Sequence, residues 1–158
     1  METVAKAKEY LRENWEQGVD CPCCGQHVQL YDYKLFATSA RALILLYGLT
    51  KERPDEYFHI SEYAEADRGK SRAPHFAELR FWGLISKQSN TDPAKKSSGY
   101  WKITTKGKEF VDGTITVPSR ILVYNNRFKG FSDKSTDIDI NEALGNKFNF
   151  AELMGRLV

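Results

Sequence analysis

With 158 residues, 41% of them hydrophobic and 13% aromatic, the chain has the material for one domain, or one domain with appendages, around a real core. No apolar run approaches the roughly 18 residues that a membrane span requires, and the N-terminal METVAKAKEYLRENWEQ is amphipathic and mixed in charge, without the apolar core of a signal peptide. No membrane partner is therefore expected, and the cytoplasm is the expected location. The net charge of +2 is unevenly spread: residues 1–67 carry 7 Lys+Arg against 12 Asp+Glu, residues 68–129 carry 13 against 4, and residues 130–158 carry 3 against 5. A middle segment of net +9 points to an anionic partner, or to a solvated basic face with none.

Residues 2–17 read as the first helix, with Val4, Ala7, Leu11 and Trp15 on one apolar stripe at spacings of three and four. Trp15 is expected to anchor a core or an interface. The next stretch, VDCPCCGQH (residues 19–27), holds Cys21-Pro22-Cys23-Cys24-Gly25. Two thiolates three apart can share one metal; the proline stiffens the turn, and the glycine lets backbone N–H groups approach sulfur. The candidate zinc ligands are Cys21 and Cys24, with His27 third. A fourth is not evident, since no second Cys-x-x-Cys exists and His59 and His75 are distant. The loop is thus either a zinc site, completed within the chain or across a dimer, or a metal-free tight turn with reduced thiols. Three cysteines so close together do not make a disulfide framework.

Residues 28–34, VQLYDYK, alternate and are rich in aromatics, as a short strand does. Residues 36–48 read as the strongest helix of the first half, with Ala40, Leu43, Ile44 and Tyr47 facing inward and Gly48 suited to its end. Pro54 marks a loop, and residues 57–60 a short strand. Ser61 can cap a short helix over 62–66, and Arg68-Gly69-Lys70 makes a turn. A second helix then starts at Ser71, tolerates Pro74 in its first turn and stops at Gly83. This is the order of a helix-turn-helix unit. The second helix is backed by Phe76 and Leu79 and carries Lys70, Arg72 and His75 at its front end, so it can enter a DNA groove N-terminus first; an ordinary surface helix is the alternative.

Residues 86–88 and 99–104 read as two strands joined by a polar loop containing Lys95-Lys96, and Thr104 or Thr105 can cap a helix over 106–111. Phe81 and Trp82 are expected to pack rather than to stack on a ligand. Further on, residues 121–124 and 127–131 form a hairpin in which Asn125-Asn126 takes positive φ, with Pro118 at a strand start or edge. Asp139 can cap a helix over 140–144, Gly145 interrupts it, and Phe148, Phe150, Leu153, Met154 and Leu157 make an apolar end. The fold class is α+β, divided into 1–35, 36–113 and 114–158. The last segment is either extra core or, together with the first helix, a homodimer interface.

WGLI, a basic loop and then GYWKITTKGKEFVDG resemble the winged helix-turn-helix DNA-binding proteins over residues 36–113. The whole chain, CPCCG included, is similar to small winged-helix proteins encoded by bacteriophages. The resemblance implies a recognition helix over 71–83 and a wing over 86–104. It assigns Lys70, Ser71, Arg72 and His75 to base edges and phosphates, and Lys87, Lys95, Lys96 and Lys102 to the adjacent backbone. Arg72 is the candidate for guanine, because its planar fork can bond two acceptors at once; His75 is equally placed to be a packing residue. The expected function is sequence-specific binding of double-stranded DNA by a small transcriptional regulator. The alternative is a protein-interaction module that uses the winged fold or the cysteine knuckle on a protein partner, such as a phage accessory protein acting on host machinery. An enzyme is not expected: paired carboxylates, a P-loop, Gly-x-Ser-x-Gly and HExxH are all missing from the sequence, and the cysteines have no evident His/Asn or His/Asp partners.

Overall fold

Thr3 opens the first helix, its hydroxyl accepting the Lys6 N–H at 3.1 Å. The computed structural model describes residues 3–59, 75–89 and 99–155. In chain order, the first part comprises α1 (Val4–Asn14), β1 (Val19–Asp20), β2 (His27–Val28), β3 (Tyr31–Lys34), α2 (Ala37–Glu52) and β4 (Phe58–His59). A 3₁₀ helix (Phe76–Trp82), β5 (Ile85–Lys87), β6 (Tyr100–Ile103) and α3 (Thr105–Val111) follow. The last part comprises β7 (Val117–Pro118), β8 (Arg120–Tyr124), β9 (Arg127–Phe131), β10 (Asp137–Ile138), α4 (Ile140–Leu144) and α5 (Phe150–Gly155). The class is α+β with antiparallel sheets. No helix among the described residues is long and apolar enough to cross a membrane.

Two compact units share the chain, one made of residues 1–34 and 120–135, the other of 35–119 and 136–158. This cut differs from the expected consecutive segments 1–35, 36–113 and 114–158. Residues 120–135 cluster with the N-terminal part because β8 pairs with β3 across the intervening sequence.

In the first unit, β8 lies between β3 and β9. The register places Tyr31 opposite Val123 and Tyr33 opposite Ile121, and on the other side Phe128 opposite Val123 and Phe131 opposite Ile121. The β8–β9 turn is Asn125-Asn126 with φ of 48° and 62°, as the sequence predicts for a tight hairpin. α1 is shorter than expected, and its stripe is narrower: Ala7 is buried while Val4 is 67% exposed. Trp15 packs on Tyr124, ring centroids 5.5 Å apart, and its carbonyl accepts the Leu30 N–H at 2.8 Å. That bond breaks the expected strand over 28–34 into β2 and β3, which belong to different sheets.

In the second unit, α2 is the hub. It is buried on most sides, through Ser39, Ala40, Ala42, Leu43, Ile44, Leu45, Leu46 and Thr50, and it packs against the 3₁₀ helix, β6, α3, α4 and α5. It does not stop at Gly48. The Thr50 hydroxyl donates to the Leu46 carbonyl inside the core at 2.8 Å, and this buried side chain anchors the helix past Gly48 despite the roughly 1 kcal/mol a helical glycine costs. Pro54 then ends it, since the residue before a proline is pushed out of the helical region. The sheet of this unit has the order β4-β6-β5. α3 is capped by Thr104, whose hydroxyl accepts the Gly107 N–H at 3.0 Å and donates to the Gly83 carbonyl at 2.6 Å. α4 begins with a full capping box between Asp139 and Glu142.

Candidate nucleic-acid interface and cysteine loop

The described end of the expected recognition helix is a 3₁₀ helix rather than an α-helix. Its buried side chains are Phe76, Leu79 and Trp82, spaced by three, which is the period of a 3₁₀ turn. Gly83 closes it in the left-handed region at φ 75°, its N–H bonded to the Arg80 carbonyl, and the chain turns directly into β5. Trp82 is core, as expected, and its indole N–H donates to the Pro118 carbonyl at 2.5 Å. Arg80 is engaged within its own segment: it donates to the Ala77 carbonyl at 2.7 Å and lies 4.1 Å above the Phe81 ring. Its partial burial pushes the guanidinium below its ordinary value.

Of the residues assigned to DNA, Lys70, Ser71, Arg72, Lys95 and Lys96 lie outside the described residues. His75 is turned onto the protein: Nδ1 is 3.1 Å from Glu78 Oε1, and the ring stacks on Phe36 at 4.5 Å. This geometry is that of a packing residue. Lys87 on β5 and Lys102 on β6 are not brought to one face. Lys87 pairs with Trp101 and Lys102 with Ser86, so alternation along β5 and β6 sends them to opposite sides of the sheet. Lys102 shares its side with Tyr100 and His59, which pair across β6 and β4 and meet edge-on at 5.1 Å; its ammonium is 5.8 Å from the Tyr57 ring. His59 and Tyr100 were not singled out by sequence, because only the β4–β6 register places them beside Lys102.

The cysteine loop is closed at its base by two ladder pairs, Val19 with Val28 and Asp20 with His27. Within it the Cys21 N–H donates to the Gln26 carbonyl at 2.7 Å and the Gly25 N–H to the Cys21 carbonyl at 2.8 Å. The backbone N–H groups of Cys24 and Cys23 bond to the Cys21 sulfur and lower its pKa, since they favour the thiolate. All three cysteines are free thiols. His27 is not directed at them. Its Nδ1 is 3.1 Å from Asp20 and its Nε2 is 3.2 Å from Gln29, and the bond to Asp20, first, then that to Gln29 raise its pKa. Among the described residues no group of three or more His, Cys, Asp or Glu is placed to hold a metal ion. Of the three candidate ligands, His27 is thus turned toward Asp20 and Gln29 and is not grouped with Cys21 and Cys24. The turn itself supplies what a thiolate needs, sulfur-directed N–H groups, but the third donor has both ring nitrogens bonded elsewhere.

No protein-family model, no curated protein and no solved structure matches this chain.

Proposed function

We propose that the second unit is a winged helix-turn-helix module that binds double-stranded DNA. The observation that carries this reading is the sheet order β4-β6-β5, with the 3₁₀ helix and Gly83 leading into β5 and β5 antiparallel to β6. That connectivity, helix, strand, helical segment and then a hairpin whose second strand lies centrally, is what the winged-helix reading of the sequence requires. Residues 68–119, the part of the basic block that lies in this unit, carry 10 Lys+Arg against 4 Asp+Glu, and this excess supports a polyanionic partner.

In this proposal the protein docks through its charge. Lys70, Ser71 and Arg72 meet the groove, with Arg72 bidentate on guanine, and Lys95, Lys96 and Lys102 meet phosphates. His75, held by Glu78 and Phe36, keeps the segment in place rather than touching DNA. Gel shifts with random duplex DNA across a salt series test the reading. Binding should weaken steeply with salt, Arg72→Ala should cost about 1–3 kcal/mol and relax base preference, and Lys102→Ala should weaken all duplexes alike. Absent or salt-insensitive binding overturns it in favour of a protein partner.

A further inference from the structure

The duplex-binding reading makes no use of the cysteine turn. Residues 21–26 form a loop on the β1–β2 ladder, pinned by the Cys21 N–H on the Gln26 carbonyl and the Gly25 N–H on the Cys21 carbonyl. Gly25, at φ 76°, reverses the chain behind Cys24. Inside this turn the backbone N–H groups of Cys24 and Cys23 both bond to the Cys21 sulfur, and the two thiols reach it as well. Cys23 and Cys24 are exposed and Cys21 is half-buried, and all three are free.

Backbone N–H groups aimed at sulfur favour a thiolate over a thiol, and metal-bound thiolates are held by the same kind of bond. Two cysteines three apart on such a turn make half of a tetrahedral tetrathiolate site. The other half is not in this chain. Its three cysteines and three histidines all lie among the described residues, and no three His, Cys, Asp or Glu there are grouped to hold a metal ion. His27, the nearest histidine in sequence, has its ring nitrogens bonded to Asp20 and Gln29. A second copy of the chain presents the same exposed turn. A two-fold axis through the metal brings the two pairs together, each copy giving the same residues.

We infer that two copies of this chain join through one zinc ion, held by Cys21 and Cys24 of each, with Cys23 and His27 outside the coordination. Zinc suits four sulfur ligands in a tetrahedron and does not change oxidation state. Four thiolates around one divalent ion leave an excess of negative charge, and the N–H groups on Cys21 in each copy offset part of it.

The test uses the full chain, reduced and supplied with equimolar zinc, read by elemental analysis and native mass spectrometry. The wild type should carry one zinc per two chains in a species of twice the chain mass. A strong chelator should remove the metal and return single chains. Cys21→Ser and Cys24→Ser should each abolish zinc uptake and pairing with an unchanged far-ultraviolet circular dichroism spectrum, whereas Cys23→Ser and His27→Gln should keep both. Cobalt(II) in place of zinc should give the visible absorption of a tetrahedral tetrathiolate, and Cys24→Ser should remove it. The proposal is overturned by no zinc uptake, by one zinc per chain, by a pair that survives the chelator, by uptake indifferent to Cys21→Ser or Cys24→Ser, or by equal loss in Cys23→Ser or His27→Gln. Zinc content and duplex affinity are separate readouts, so loss of one leaves the other proposal standing.

Discussion

The Tyr47 hydroxyl donates a 2.8 Å hydrogen bond to Asp112 Oδ1, tying the middle of α2 to the residue that caps the C-terminus of α3. The bond to the carboxylate, with partial burial and the carboxylate charge behind it, raises the tyrosine pKa, because only the protonated phenol can donate. A group whose pKa is raised on folding contributes stability below its ordinary value, near 10 for tyrosine, and loses it as pH climbs through the folded value. Tyr47→Phe should cost about 0.5–1 kcal/mol at pH 7 in urea unfolding, and the gap to wild type should shrink on the alkaline side of pH ~10.

Gly107 gives the largest expected single-site effect. A Cβ there would overlap the Leu84 carbonyl oxygen and stand 2.7 Å from Ile103 Cγ1, so α3 can lie against the start of β5 and the end of β6 only if this position has no side chain. Gly107→Ala should lower stability by about 3 kcal/mol, the upper end of overpacking costs, and thermal unfolding reads it directly.

Trp82 couples the end of the 3₁₀ helix to β7 through its indole N–H on the Pro118 carbonyl. Trp82→Phe removes the donor and leaves a gap in a site that is 2% exposed. The expected loss is about 2–3 kcal/mol by urea denaturation. Duplex affinity measured well below the melting temperature should hold, since the indole has no place in the contact set proposed above.

Ser132 is one of few buried polar residues among those described, at 8% exposure. Its hydroxyl donates to Asp32 Oδ2 at 2.6 Å and accepts the Lys134 N–H at 3.1 Å, while Arg120 approaches the other Asp32 oxygen at 3.5 Å. Ser132→Ala should destabilise by about 1–2 kcal/mol, and Asp32→Asn, which keeps an acceptor for the hydroxyl, by less. Chemical denaturation of the two variants checks the order.

The features legible in the sequence are those with local causes. Thr104 caps α3, Asp139 and Glu142 box α4, Gly83 ends the 3₁₀ helix, and two asparagines turn the β8–β9 hairpin, all through bonds or dihedrals spanning a few residues. What was not legible depends on partners remote in sequence. α2 runs through Gly48 to a buried Thr50, whose surroundings come from elements remote in sequence. Residues 28–34 divide because the Trp15 carbonyl takes the Leu30 N–H. Lys87 and Lys102 part company because a strand's period of two acts through a register that composition does not reveal. Tyr31, Tyr33, Phe128 and Phe131 were visible as aromatic residues but not as one surface, which exists only once β8 lies between β3 and β9.

The interleaving of the two units has a consequence for how the protein comes to be made. A ribosome releases Tyr31–Lys34 with nothing for their backbone groups to bond, and the complementary segment, Arg120–Val123, emerges only after residues 35–119 of the α2-centred unit. The N-terminal portion must therefore wait, half-formed, while residues 35–119 are made. A nascent chain stalled before residue 120 should leave the first 34 residues open to protease, and α2 should gain full protection only once α4 and α5 have emerged.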